Sequence, residues 1–126
     1  MSPLPRFVRV RQNFPQPPAF DWAHALATEF AKIQPRLTPG ASVAIGVGSR
    51  GIANLLPIVT RLVELLKAAG TRPFIFPAMG SHGGATPEGQ RELLADYGIS
   101  EATMGVPVRA AMETEIVGHT ALRIFS

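Results

Sequence analysis

The chain has 126 residues, 46% of them hydrophobic, with twelve Lys/Arg against nine Asp/Glu and a net charge of +3. That is enough for a single domain, residues 1–126, with its own packed core, and the absence of cysteine excludes disulfides, thiolate metal sites and cysteine nucleophiles. The basic excess is small and scattered, so nucleic acid is not an expected partner; nor is a membrane, because the longest apolar stretch, Ile52 to Leu66, is broken by Asn54, Pro57, Arg61 and Glu64.

Arg6 to Asn13 alternates basic and apolar side chains and reads as an edge strand with a solvated face. Phe14 to Pro18 is a proline-rich connector. A helix is predicted from Phe20-Asp21 to about Gln34, with Asp21 as N-cap and Trp22, Leu26, Phe30 and Ile33 on one face. Pro35 stops it, because the residue before a proline is pushed out of the α region.

Ser42 to Val47 is a β-rich run closed by Gly48-Ser49-Arg50-Gly51. A helix is expected from about Asn54 to Ala69. Pro57 is tolerated in its first turn, Ile58, Leu62, Leu65 and Leu66 face inward, and Gly70 is the stop. Phe74 to Ala78 is the next strand. Thr86-Pro87 opens a helix running to Tyr97, and Ser100 caps a short helical turn ending near Gly105. Val106-Pro107-Val108 and Glu115 to Ile124 are candidates for two further strands. Consecutive strand–loop–helix units with apolar strands predict parallel pairing and right-handed crossovers. The expected fold is α/β, a Rossmann-like layered domain with a mainly parallel sheet and flanking helices.

Both apolar strands end in glycine-rich, hydroxyl-bearing loops, Gly46-Val47-Gly48-Ser49-Arg50-Gly51 and Gly80-Ser81-His82-Gly83-Gly84. Parallel neighbours would set these loops side by side at the carboxyl edge of the sheet, where open α/β sheets bind ligands. Loop N–H groups and helix N-termini favour an anion there, and Arg50 offers a bidentate contact to carboxylate or phosphate. The dinucleotide fingerprint is absent, since no acidic residue ends the Phe74–Ala78 strand. His82 is either a loop residue bonded to a carbonyl or a general acid/base facing the anion; histidine is the side chain that titrates nearest neutrality. Gly83 and Gly84 beside it permit close approach. His24 and His119 have no partners at metal-ligand spacing. Met79, Met104 and Met112 read as core filler. Glu88, Glu92 and Asp96 read as a solvated helix face, and Glu113 and Glu115 as an alternating pair on a strand.

Ser49-Arg50-Gly51-Ile52-Ala53-Asn54, Pro77-Ala78-Met79-Gly80-Ser81-His82-Gly83-Gly84-Ala85-Thr86 and Glu88-Gly89-Gln90 together resemble the N-terminal part of the lactate racemase family. The resemblance spans about Val43 to Gly118. Members are racemases and epimerases of 2-hydroxy acids that depend on a nickel-pincer nucleotide. The resemblance implies that His82 removes and returns the proton of the substrate hydroxyl. It implies that Ser49, Arg50, Gly80, Ser81, Gly83 and Gly84 bind anionic groups of substrate or cofactor. The C2 hydrogen would pass as hydride to the cofactor and return to either face.

Lactate racemases proper carry an Asp at the position of Val47 and a His at Gly48, so the resemblance leaves open which hydroxy acid is the substrate. The family's cofactor-anchoring lysine, second acid/base histidine and nickel-ligand histidine lie beyond the matched region. The chain therefore reads as a fragment of a longer cytoplasmic protein whose C-terminal domain is an expected partner, and as inactive alone. A non-catalytic α/β module binding an anion on its two glycine loops, and a remnant with no ligand, are the rival readings.

Overall fold

A computed structural model describes residues 7–15 and 18–118. The elements follow in the order α1 (Trp22–Ile33), a 3-10 turn (Gln34–Arg36), β1 (Ser42–Val47), α2 (Leu55–Ala68), β2 (Arg72–Pro77), a second 3-10 turn (Gly83–Ala85), α3 (Pro87–Asp96) and α4 (Glu101–Met104). β1 and β2 are parallel neighbours in a register running from Ser42 opposite Arg72 to Val47 opposite Pro77. The chain is thus α/β, as its strand–loop–helix order predicts. None of the described helices is long and apolar enough to cross a membrane.

The local chemistry explains each boundary. Asp21 Oδ1 accepts from the His24 N–H at 2.9 Å and starts α1. In β1, β-branched Val43, Ile45 and Val47 alternate with small residues, which suits a pleated strand with one covered face. α2 ends at Gly70, whose φ of +76° is the left-handed conformation a C-terminal stop requires. The buried Thr71 hydroxyl then donates to the Leu66 carbonyl at 2.7 Å. Thr86 caps α3 by accepting from the Gly89 N–H. Ser100 and Thr103 form a reciprocal capping box on α4.

One core cluster joins the inner sheet face, with Ile45, Val47 and Ile75, to Val59, Val63 and Leu66 of α2 and to Leu94, Ile99 and Met104. α1 packs on α2 and brings in Phe30. The buried stripe of α2 is centred on Val59, Val63 and Leu66, while Ile58, Leu62 and Leu65 flank it half-buried. Periodicity locates the apolar arc, but the sheet decides which residues sit at its middle. The helices share that single core, and on the other sheet face Ala44, Gly46 and Phe76 are exposed. Two right-handed crossovers running in the same direction place their helices on the same side.

Three expected strands differ. Val106–Val108 contributes one parallel bridge, Ile75 opposite Val108, on the side of β2 away from β1. Ile75 donates to the Pro107 carbonyl at 2.9 Å and accepts from the Arg109 N–H at 2.8 Å. The Glu101 carboxylate takes the outward Val108 N–H at 3.0 Å, so a side chain closes the edge where a further strand would pair. Residues 7–13 form no regular element with any described segment and are exposed, with Phe7 and Val8 fully or largely in solvent. A strand needs a neighbour for its N–H and C=O groups, and no described segment supplies one. Residues 115–118 likewise form no strand. Arg6, His119 and the rest of the stretch to Ile124 lie outside the described residues.

Leu94 and Ile75 are completely buried. Leu94→Ala is expected to cost about 2–5 kcal/mol of stability through lost burial and a residual cavity. Phe7→Ser should change stability by less than about 0.5 kcal/mol, as for a surface site. Urea unfolding of the two variants checks both.

Candidate functional site

The parallel register carries both loops to one end of the sheet. Pairing continues one step past β2, with the Ala78 N–H donating to the Val47 carbonyl at 2.8 Å. The chain then leaves β1 through Gly48 and β2 through Ala78 as immediate neighbours. The loops border an open depression of about 490 Å³, lined by Ser49, Arg50, Ile52, Gly80, Ser81 and His82 among others. Met79, 9% exposed, anchors the second loop in the core.

The two loops touch through chemistry-bearing side chains. Ser49 Oγ and His82 Nδ1 share a hydrogen bond across 33 positions of sequence. Which of them donates depends on the histidine tautomer. Nδ1 is therefore engaged, and Nε2 is the ring nitrogen left for a ligand. Arg50, next to Ser49, is exposed and borders the same depression. All nine carboxylate side chains of this chain are among the described residues. None of them lines the depression, and none pairs with Arg50, the three ion pairs among the described residues being Lys32–Glu29, Arg61–Glu64 and Arg91–Glu88. The local field is positive and suits an anionic ligand.

Two residues of α3 and its C-cap hold the loops. Tyr97 donates its hydroxyl to the Ser49 carbonyl at 3.1 Å. Gln90, only 4% exposed, donates its amide to the Gly80 carbonyl at 2.7 Å. One helix thus fixes the loop of β1 and the loop of β2 to a common frame. Neither residue was expected to serve the site. Gln90 offered a signal, as a polar residue on the inward side of an amphipathic helix; Tyr97 offered none.

Gly83 and Gly84 are not part of the lining of the depression. Both shape the chain here. They turn the chain from His82 into α3 with φ of +62° and +67°. A Cβ on Gly83 would stand 2.4 Å from the backbone of Gly89, and one on Gly89 would stand 2.0 Å from the Gly83 carbonyl oxygen. At Gly83 the approaching atoms belong to α3, whereas a Cβ on Gly84 would meet open space. The helix N-termini also contribute less than expected. The Gly89 N–H is taken by Thr86 Oγ1 at 3.1 Å, and the Leu55 N–H by the Ile52 carbonyl at 3.2 Å.

The remaining candidates lie apart. His24 is exposed on α1. Glu113 and Glu115 are exposed on the segment after Arg109, where Glu113 accepts from the Met112 N–H. Met79 and Met104 are buried, whereas Met112 is 41% exposed and fills no core. Among the described residues no three or more His, Cys, Asp or Glu side chains gather to hold a metal ion.

The Gly83–Gly89 contact yields a test by sign. Glycine to alanine inside a helix ordinarily gains about 1 kcal/mol. Gly89→Ala should instead lose about 1–3 kcal/mol, because the new methyl must push the Gly83 carbonyl aside. Thermal or urea unfolding reads the sign directly.

No family model matches this chain, and neither a curated protein nor a solved structure does so.

Proposed function

We propose that this chain is the N-terminal part of a racemase or epimerase of 2-hydroxy acids, in which His82 moves the proton of the substrate hydroxyl. The observation that supports the reading most is the Ser49–His82 hydrogen bond beside Arg50. It joins a proton-transfer group to an anion-binding group at the carboxyl edge of a parallel sheet. A 2-hydroxy acid offers a carboxylate and a hydroxyl on adjacent carbons, and these two groups match the two side chains. The finer architecture in this reading is a Rossmann-like sheet of which β1, β2 and the 107–109 segment are one part.

In this mechanism the Arg50 guanidinium takes the carboxylate through two parallel N–H···O bonds. The Gly80 and Ser81 segment borders the bound anion. His82 works in the tautomer with Nδ1–H donating to Ser49 Oγ, which leaves a lone pair on Nε2 for the substrate hydroxyl proton. Ser49 keeps the ring in that tautomer and orientation. Returning the proton from Nε2 completes the cycle for this residue. Positioning the hydroxyl within hydrogen-bond reach of Nε2 is what the Tyr97 and Gln90 clamps contribute.

A nickel-pincer nucleotide, the cofactor of the family that the chain resembles, would supply the acceptor for the C2 hydrogen when bound. The depression offers Arg50 toward an anionic group, but no lysine lines it and the described residues gather no metal-binding cluster. Nickel and its covalent anchor would be held by another part of the protein, and no residue here is assigned to them. A non-catalytic anion-binding module uses the same Arg50 and loops and differs only in giving His82 no proton to move.

The test has two arms. Lactate added to this chain should shift the amide resonances of Ser49, Arg50 and His82, and Arg50→Ala should weaken that binding about tenfold or more, as for loss of a charge-assisted pair. In a protein extended by its native continuation and loaded with cofactor, His82→Ala should lower racemisation about a hundredfold or more, with an unchanged melting temperature. Lactate binding together with full turnover in His82→Ala would leave the binding module as the surviving reading.

A further inference from the structure

We propose a second anion site, for a phosphate group, on the open face of the sheet at the end opposite His82. Six residues line an open depression of about 430 Å³ there, Ser42, Arg72, Pro73, Phe74, Pro107 and Arg109. Ser42 and Arg72 are the first residues of β1 and β2, whereas the His82 depression follows their last residues. Six-residue strands at about 3.3 Å per residue put the two ends roughly 20 Å apart.

Both guanidinium groups are held in place by contacts that leave donors over. Arg72 Nε donates to the Gly40 carbonyl at 2.8 Å, which orients the plane and leaves both Nη groups for a ligand. Arg109 is fixed at its backbone by its N–H bond to the Ile75 carbonyl. Its guanidinium lies 4.5 Å above the centre of the Phe74 ring. A stacked guanidinium keeps its in-plane N–H groups for another partner.

No carboxylate side chain of this chain pairs with either arginine. All nine aspartates and glutamates are among the described residues, and the three ion pairs engage Glu29, Glu64 and Glu88 with other cations. Glu113 and Glu101, the acids nearest in sequence to Arg109 on either side, accept instead from the Met112 and Val108 N–H groups. The strand parity that sets Ser42, Arg72 and Phe74 on one face also brings the Ser42 hydroxyl to this depression. Two oriented guanidinium groups and a hydroxyl, with prolines and a ring around them, make a donor-rich recess. A phosphate accepts from several donors at once, and two arginines recognise it better than a lone carboxylate would require.

Inorganic phosphate titrated into the full chain, followed by residue-resolved amide NMR at low ionic strength, tests the assignment. Saturable shifts at Ser42, Arg72, Phe74 and Arg109 are expected. Arg72→Gln and Arg109→Ala should each raise the Kd about tenfold or more, the scale of one lost charge-assisted contact. Arg72→Gln keeps a polar side chain of similar reach, so its circular dichroism should match that of the parent even if Arg109→Ala unfolds. Shifts confined to Gly80–His82, shifts that do not saturate, or a Kd unchanged in Arg72→Gln would overturn the proposal.

Discussion

Everything at the candidate site depends on the parallel register of β1 and β2. Because Val47 lies opposite Pro77, the two glycine-rich loops leave the sheet at the same level. A slip by one residue would turn each side chain of one strand to the other face. Val47 would leave the core, and Ser49 would lose its alignment with His82. The register is specified by burial, since Ile45, Val47 and Ile75 must all enter one core with Leu94 and Ile99. The hydrophobic effect that stabilises the domain thereby also sets the separation between its two most reactive-looking side chains.

Backbone contacts then convert a pair of loops into a fixed constellation. The Gly83–Gly89 approach brings the second loop against α3 more closely than any side chain would allow. Gln90 and Tyr97 hold one carbonyl from each loop. The polar side chains of the depression therefore do not carry the work of ordering it. Ser49 Oγ, His82 Nε2 and the Arg50 guanidinium keep bonding capacity for something else. At the opposite end of the sheet the same division recurs, with Gly40 and Phe74 orienting arginines whose remaining donors meet no carboxylate side chain.

The β1 strand and α2 were legible from local chemistry. Val43, Ile45 and Val47 sit between glycine-bearing turns, and Pro57 and Gly70 stand where a helix begins and ends. The shared sheet edge of Arg50 and His82 followed from parallel pairing. What could not be read depended on distant partners. The Tyr97 hydroxyl reaches a carbonyl 48 positions away, and neither residue type nor spacing marks such a bond. Gly83 looked like room for a ligand because sequence shows that space is needed without showing what fills it. Alternation in residues 7–13 promised a strand, yet pairing is a property of two segments, and only one of them was in view.

Among the described residues β2 has hydrogen-bonded neighbours on both sides, β1 and the 107–109 segment, whereas β1 has one. The two halves of the site are therefore rooted in parts of the sheet with different resistance to opening. Amides on a doubly paired strand exchange with solvent only through larger, rarer openings, while an edge strand frays at lower cost. The loop bearing His82 grows from the slow-exchanging strand and is tied again by Gln90. The loop bearing Ser49 and Arg50 grows from β1 and is tied by the Tyr97 hydroxyl and by the Ser49–His82 bond. Any outward movement of the arginine side would break the Ser49–His82 bond, so opening that loop would also free the histidine ring from the partner that orients it.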